Sequence, residues 1–138
     1  MKIKDLMTRD IISLAPDEEL FSHLNIFREH RIHHIPVVDR SKQVVGMLSS
    51  KDFENIEIIF KLLNKMKPSE TVVRIADVMT SPIFSYFEDV EVASAAEAMV
   101  DNNIHAIVVV DKNEKMIGIL TSTDLLRYIA TSGKNRPV

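Results

Sequence analysis

The chain repeats itself once along its length. When Asp5 is aligned with Asp77, the stretch from Ile3 to Phe53 matches a second stretch without a gap. Three short motifs recur in both copies: Asp-x-Met-Thr, Ile-His-x-Ile and Gly-x-x-Ser/Thr-x-x-Asp. A fixed internal period indicates one supersecondary unit that is built twice. Each copy is too small to be stable on its own, so the two copies are expected to fold as a pair.

Hydrophobic spacing predicts the order of elements within each copy. In the first copy, Ile11 to Leu14 predicts a short strand, and the stripe of Leu20, Leu24 and Phe27 predicts an amphipathic helix. Continuous apolar runs then predict a hairpin of buried strands in each copy, at residues 35–38 with 44–48 and at 107–110 with 116–120. A further helix opens at the end of each hairpin. Each copy therefore predicts the order strand, helix, strand, strand, helix.

The repeat also predicts the segment boundaries: residues 1–55 as the first repeat, 56–72 as a helical linker, 73–130 as the second repeat and 131–138 as a tail. The linker helix is expected to run to Lys67, because Pro68 ends it. Pro36 has no N–H to donate, so its strand is expected to carry an unpaired position, as at a sheet edge. Met7 and Met79 precede the first strand of each copy, where core packing is their expected role.

Composition excludes several classes of protein. The 138 residues carry 17 Lys+Arg against 20 Asp+Glu, so bulk charge does not favour nucleic acid as a partner. There is no cysteine, which excludes disulfides, thiolate metal sites and thiol catalysis. The longest plain apolar run, Ala106 to Val110, is far shorter than the roughly 20 residues of a membrane-spanning helix. The N-terminus does not resemble a secretory signal, so a cytoplasmic protein with no membrane partner is expected.

The Gly-x-x-Ser/Thr-x-x-Asp motif stands where a strand runs into a helix. It places Ser49 and Asp52 in the first copy, and Thr121 and Asp124 in the second. One interpretation is structural: the hydroxyl caps the helix, and the acid lies in its first turn. The other is functional: the helix start attracts an anion, the Gly lets a ligand approach the backbone, and the carboxylate accepts two hydrogen bonds from a ribose diol. The motif alone leaves both interpretations open.

His33 and His105 hold the same place in the two copies, between a helix and a buried strand. Packing or capping is the commoner role of such a histidine, and meeting phosphate beside Arg31 is the alternative. A metal site built on His30, His33 and His34 lacks an acidic or cysteine partner at ligand spacing, so no metal is expected. There is no Gly-x-Ser-x-Gly, P-loop or dinucleotide fingerprint, and no catalytic set is selected by spacing. The chain is therefore not expected to be an enzyme.

The three motifs in tandem resemble those of a CBS-domain pair, also called a Bateman module. The resemblance covers nearly the whole chain, from Ile3 to about Tyr128. It implies an α+β (mixed α/β) fold of two tandem βαββα units, packed sheet to sheet around a pseudo-twofold axis with a cleft on each side. In the family these clefts commonly bind adenosine compounds, namely AMP, ADP, ATP or S-adenosylmethionine. An adenosine-type ligand is thus the expected small molecule, with no catalytic cofactor.

The resemblance also implies roles for individual residues. Asp52 and Asp124 would hold the ribose hydroxyls, with Ser49 and Thr121 close to ribose or phosphate. Basic residues would reach phosphate, and these are His33, Arg31, His34, His105 and Lys51. Apolar residues would sandwich adenine, and these are Ile11, Ile12, Ile35 and Pro36 at one site and Ile83, Phe84, Ile107 and Val108 at the other.

Two positions of the second copy depart from the family pattern. Ala106 stands in place of the second histidine, and Val108 stands in place of the proline. The resemblance therefore implies a second site that holds fewer phosphates or binds more weakly.

The leading interpretation is a regulatory module that senses an adenosine compound and acts on an effector protein in trans. The alternative is a structural or interaction module of the same fold, without a physiological small ligand, that uses the linker helix as a docking face. A homodimer is expected, because the outer helices carry more apolar residues than one buried face needs. These residues are Leu125, Leu126, Ile129, Ile58 and Leu62.

Overall fold

A computed structural model describes residues 1–23, 25–63, 72–81 and 83–134. The helices, in chain order, are α1 (Ile3–Leu6), α2 (Ile26–His30), α3 (Ser50–Leu63), α4 (Val92–Asn102) and α5 (Ser122–Lys134). The strands are β1 (His34–Val38), β2 (Val44–Ser49), β3 (Ser85–Phe87), β4 (Ala106–Val110) and β5 (Met116–Thr121). Short 3₁₀ turns occupy Leu20–His23 and Ile75–Asp77. The predicted α+β class is confirmed.

The chain divides into two compact units that do not coincide with the two sequence copies. One unit is Ile12–Ile83, and the other combines Met1–Ile11 with Phe84–Val138. Each unit therefore consists of most of one copy together with the leading segment of the other copy. The Asp-x-Met-Thr motif of each copy lies in that leading segment, so it packs with the opposite copy.

In the unit Ile12–Ile83, β1 and β2 form an antiparallel hairpin. The predicted strand from Ile11 to Leu14 is wrong as a continuous element, because only Leu14 pairs, through a parallel bridge to Val37. The missing N–H of Pro36 supplies the physical reason. At the matching place in the other unit, Val108 donates its backbone N–H to the carbonyl of Phe84 across 3.1 Å. Pro36 cannot make that bond, in agreement with the unpaired position predicted there.

In the other unit the equivalent segment does form a strand. Strand β3 pairs in parallel with β4, and β4 pairs antiparallel with β5, giving a three-stranded sheet in the order β3-β4-β5. Helix α4 connects the two parallel strands, as the crossover of a parallel pair requires. The predicted order of strand, helix, strand, strand, helix is confirmed for this unit.

The first helix of the repeat differs between the two copies. Where α4 is one continuous helix, the first copy has a 3₁₀ turn at Leu20–His23 and then the short α2. Four alanines between positions 93 and 98 favour the helix in the second copy, whereas Phe21, Ser22, His23 and Asn25 have weaker helix propensities. Leu24, part of the predicted stripe, lies outside the described residues. The single amphipathic helix predicted there is therefore wrong.

Each unit has its own hydrophobic core. The core of the unit Ile12–Ile83 contains Leu14, Leu20, Phe21, Ile35, Val37, Leu48, Phe53 and Ile75. The core of the other unit contains Ile3, Met7, Ala95, Met99, Ile107, Val109 and Leu120. Ile3 and Ile75 are matching residues of the two copies, and both are fully buried. Each exchanged leading segment therefore inserts an isoleucine into the core of the opposite copy.

The two hairpin turns share one construction. Asp39 Oδ1 accepts hydrogen bonds from the backbone N–H groups of Ser41 at 2.9 Å and Gln43 at 3.0 Å. Asp111 repeats the arrangement with Asn113 and Lys115, at 2.8 and 3.0 Å. Each turn also holds a residue in the left-handed region, Lys42 with φ 65° and Glu114 with φ 62°.

The two long helices differ in part from the prediction. Helix α3 is described to Leu63, and its predicted continuation to Lys67 lies outside the described residues. Helix α5 continues to Lys134, so it extends into the segment that was predicted to be a tail. None of the helices in the described part of the chain combines the length and apolar character needed to cross a bilayer.

Candidate functional site

The hydroxyl of each Gly-x-x-Ser/Thr-x-x-Asp motif caps the helix that follows it. The Oγ of Ser49 accepts a hydrogen bond from the backbone N–H of Asp52 at 3.1 Å, at the start of α3. The Oγ1 of Thr121 accepts the same bond from Asp124 at 3.2 Å, at the start of α5. These bonds satisfy N–H groups that a helix leaves free at its N-terminus. The structural interpretation of the motif is therefore realised in both copies.

The carboxylate of Asp124 is held by three groups of its own unit. Its Oδ2 accepts a hydrogen bond from the backbone N–H of Thr121 at 2.9 Å, which completes a reciprocal capping box. Its Oδ1 accepts a hydrogen bond from the Thr8 hydroxyl at 3.3 Å and lies 3.6 Å from Nη1 of Arg127. The side chain is only 9% exposed. Asp124 is thus committed to protein partners on both of its oxygens.

The matching carboxylate of Asp52 is in a different state. The residue is half-buried at the start of α3. Among the residues that the structure describes, no hydrogen bond or ion pair reaches its carboxylate oxygens. The position that matches Arg127 is Asn55, which carries no charge. The same motif therefore presents an engaged acid in one unit and an unengaged acid in the other.

The glycine of each motif is closely covered by a methionine side chain and by the carbonyl of the threonine that follows it. A Cβ at Gly46 would lie 2.8 Å from Cγ of Met79 and 3.1 Å from the carbonyl oxygen of Thr80. Met7 covers Gly118 in the same way in the other unit. The expectation that this glycine opens the backbone to a ligand is corrected, because a methionine side chain occupies that space. The predicted core packing of Met7 is confirmed, since its side chain belongs to a buried cluster.

The threonine after each methionine was not assigned a role from the sequence. Thr8 exchanges two backbone hydrogen bonds with Ile119, at 2.8 and 3.0 Å, and Thr80 exchanges two with Met47 at the same distances. These bonds fix the Asp-x-Met-Thr segment along the strand that leads into the motif helix. The recurrence of Asp-x-Met-Thr in both copies was the signal that could have identified Thr8.

The segment that carries Thr8 is also held by charges. Backbone N–H groups of Ile3 and Lys4 donate to the carbonyls of Val90 and Glu88, at 2.9 and 3.0 Å. The ammonium of Lys4 lies 2.9 Å from a carboxylate oxygen of Asp89. This hydrogen bond and charge lower the pKa of Asp89 and raise the pKa of Lys4. The N-terminal segment is thus attached to its unit by backbone bonds, a buried isoleucine and exposed ion pairs.

The residues predicted to sandwich adenine divide into two groups. Ile35 and Ile107 belong to the cores of their units and have no exposed surface, while Pro36 and Val108 are equally buried on the opposite strand face. The other four retain exposed surface: Ile11, Ile12 and Ile83 are half-buried, and Phe84 is 41% exposed. Ile12 and Ile83 share a unit with Asp52, whereas Ile11 and Phe84 share one with Asp124.

The residues predicted to reach phosphate lie mostly on the surface. His33 and His105 are exposed, and their carbonyls accept hydrogen bonds from Ser50 and Ser122, both at 2.9 Å. Nδ1 of His33 also lies 3.4 Å from Oγ of Ser50. Arg31 ends α2 with φ 53° and is exposed.

The remaining two predicted phosphate residues, Lys51 and His34, are exposed and half-buried respectively. In the described part of the chain no group of three or more His, Cys, Asp or Glu side chains is arranged to hold a metal ion.

Comparison with known proteins identifies relatives over nearly the whole chain. The family model of the CBS domain matches residues 3–56 and 75–131. Protein MK0525 of Methanopyrus kandleri is 30% identical over 128 residues, which cover 92% of this chain and 62% of MK0525. The inosine-5'-monophosphate dehydrogenase of Methanocaldococcus jannaschii is 30% identical over 126 residues, which cover 91% of this chain and 23% of the enzyme. The chain thus spans less than two thirds of either relative.

Solved structures share the fold. The CBS domain pair of protein MJ0100, crystallised in complex with 5'-methylthioadenosine and S-adenosyl-L-methionine, is 26% identical to this chain with a TM-score of 0.78. The match covers 96% of this chain and 98% of that one. Its extent agrees with the two repeats that the family model finds.

Proposed function

The chain belongs to the CBS domain family, and on that premise we propose that it is a regulatory module that binds an adenosine-type ligand through the acids of its two motifs. The ligand would report to a partner protein. The activities of the longer relatives, including the dehydrogenase, are not carried over, because this chain matches only a part of each.

The observation that carries the proposal is the state of Asp52. It is a half-buried carboxylate at the start of a helix, and no described residue donates to its oxygens. An ionised carboxylate is a strong acceptor that can take two hydrogen bonds at once. The two hydroxyls of a ribose present two donors at adjacent carbons, which suits one carboxylate. The Oγ of Ser49 accepts a hydrogen bond from the backbone N–H of Asp52 at 3.1 Å. This bond fixes the first turn of the helix that carries the acid.

The similarity to the MJ0100 domain pair supports the class of ligand. Both compounds in that crystal structure contain adenosine with a free ribose diol, and that chain is 26% identical to this one. For the base, the proposal relies on the partly exposed apolar residues rather than the core ones. Ile12 and Ile83 would face adenine near Asp52, and Ile11 and Phe84 would do so near Asp124.

The test is calorimetric titration with AMP, ATP, S-adenosylmethionine and 5'-methylthioadenosine, after a thermal-shift screen. A ligand that binds only the native state must raise the melting temperature. Asp52→Asn is expected to weaken binding by about 1.5–3 kcal/mol, the range for a hydrogen bond to a charged group. Glu54→Gln is the matched control, because it removes an exposed acid from the same helix turn. If none of the four compounds binds, or Asp52→Asn binds like Glu54→Gln, the proposal is wrong.

The role of His33 at phosphate is tested by a matched pair of ligands. AMP carries a phosphate and 5'-methylthioadenosine does not, while both carry adenine and ribose. His33→Ala is expected to weaken AMP binding and to leave 5'-methylthioadenosine binding unchanged. An equal loss for both compounds would assign His33 a structural role through its contact with Ser50.

A further inference from the structure

We infer that the two candidate sites fill in order, Asp52 before Asp124, and that the Thr8 hydroxyl sets the affinity of the second. The inference rests on the proposed function, because it concerns the same two carboxylates. It goes further by assigning a role to the Asp-x-Met-Thr motif, which lies in the segment exchanged between the two copies.

The first step concerns what Asp124 can still accept. Its two oxygens offer about four lone-pair positions in total. The Thr121 N–H at 2.9 Å and the Thr8 hydroxyl at 3.3 Å use one on each oxygen. The Arg127 guanidinium forms an ion pair, at 3.6 Å, with the same oxygen that the Thr8 hydroxyl contacts. A ribose diol that bonds both oxygens therefore competes with groups that are in place before it arrives.

The second step is the internal comparison with Asp52. Thr80 matches Thr8, and its backbone is fixed to Met47 by the same pair of bonds. No described side chain donates to the carboxylate of Asp52, however, and Asn55 replaces the arginine. The chain thus contains both states of one motif, and they differ in the groups that face the acid. The unengaged acid should take the ligand first.

The third step identifies which competitor is removable. The Thr121 N–H belongs to the helix cap, and Arg127 is 68% exposed, so that its ion pair is strongly screened. The Thr8 hydroxyl is neutral, can rotate about one bond, and bonds nothing else among the described residues. Its loss should release one acceptor position while the backbone bonds to Ile119 keep the segment attached.

The experiment is calorimetric titration of the whole chain with 5'-methylthioadenosine, which has no phosphate and so leaves the basic residues out of the measurement. The wild type is expected to bind in two steps of different affinity. Asp52→Asn should weaken the tighter step, and Asp124→Asn the weaker one. Thr8→Val should tighten the weaker step by roughly threefold to tenfold, the range for one released hydrogen bond. Thr80→Val is the matched control and should leave the weaker step unchanged.

Thr8→Ser provides a second variant, because it keeps the hydroxyl and removes only a methyl group. Thr8→Ser should bind 5'-methylthioadenosine as the wild type does. It remains informative even if Thr8→Val destabilises the fold. If the weaker step stays at its wild-type affinity or weakens in Thr8→Val, the inference is overturned while the proposed function stands. The same follows if Asp124→Asn weakens the tighter step instead. If the wild type shows neither heat nor a thermal shift with this compound, the inference is overturned, whereas the proposed function fails only if AMP, ATP and S-adenosylmethionine also do not bind.

Discussion

Met7 packs so closely over Gly118 that a Cβ atom at position 118 would lie 2.6 Å from the Met7 sulfur and 3.1 Å from its Cγ. Ordinary contact between such atoms occurs at about 3.5–4.0 Å. Gly118→Ala is therefore expected to destabilise the protein by about 1–3 kcal/mol, the usual cost of an overfilled core. Urea unfolding of the variant measures this free energy.

The double variant Met7→Ala with Gly118→Ala identifies the cause of that loss. The smaller side chain at position 7 leaves room for the new methyl group, so the two changes should cost less together than the sum of the single changes. Additive losses would show that the sulfur is not what excludes a side chain at position 118.

Acid is expected to loosen the N-terminal segment. Hydrogen bonding and charge from Lys4 lower the pKa of Asp89, and those from Lys2 lower the pKa of Glu91. A carboxylate with a lowered folded-state pKa contributes stability above its unfolded pKa and loses it as pH falls through the folded value. Hydrogen exchange of the Ile3 and Lys4 amides should therefore accelerate below about pH 4, relative to the intrinsic exchange rate at each pH.

High salt should weaken these two ion pairs at neutral pH, because both carboxylates are exposed to solvent and their charges are screened. Asp89→Asn removes the Lys4 ion pair and should flatten the acid dependence of Ile3 and Lys4 exchange in part. A variant whose exchange follows the wild type across this pH range would contradict the assignment.

Glycine should stabilise the hairpin turns. Lys42 has φ 65°, a left-handed conformation that costs a residue with a Cβ roughly 1–2 kcal/mol. Lys42→Gly removes that cost but adds backbone entropy to the unfolded chain, so a net gain of about 0.5–1 kcal/mol is expected. Thermal unfolding measures it. Arg40→Gly, in the same turn but without a positive φ, should destabilise the protein instead.

Helix α5 is expected to mediate self-association. Leu126 and Ile129, three residues apart on this helix, are 67% and 65% exposed, whereas the adjacent Leu125 packs against the core of its own unit. The expectation that Leu125 contributes to a free apolar face is corrected accordingly. We expect a twofold homodimer, the commonest closed assembly. Sedimentation should then show a dimer for the wild type and a monomer for Leu126→Glu combined with Ile129→Glu.

Val100→Glu is the control for that experiment, because Val100 is 80% exposed and lies on α4 rather than on α5. It should sediment as the wild type does. A wild type that remains monomeric at micromolar concentration would contradict the expected dimer. A monomeric wild type would also show that the exposed Leu62 of α3, at 79%, does not mediate self-association.

The sequence predicted those parts of the fold that depend on local pattern. The two hairpins and the helices after them follow from continuous apolar runs and from a capping hydroxyl, as at Ser49 and Thr121. The first strand was predicted alike in both copies, and it forms only where Val108 can donate its N–H. The loss at Pro36 was foreseen, but its effect on the strand beside it depends on a pairing that the sequence does not state.

The candidate site was predicted in its residues but not in their states. Spacing located Asp52 and Asp124 at equivalent positions and gave no reason to distinguish them. Part of the difference arises from Thr8, which is more than a hundred residues from Asp124 in the chain and meets it only in the folded unit. Likewise, burial of Ile35 and Ile107 depends on which strand face each core covers. Such long-range pairings are set by tertiary packing, which one copy of a repeat cannot specify alone.

The exchanged leading segments bear on how such a chain can evolve. The repeated sequence unit begins at Ile3 and again at Ile75, whereas a compact unit begins at Ile12 and ends at Ile83. The stretch that a gene duplication would copy and the stretch that packs as one body are therefore offset along the chain. Recombination at the sequence boundary would separate Ile75 from the core it completes. In a single ancestral copy, the isoleucine of the leading segment could be buried in this way only in the core of a second identical chain.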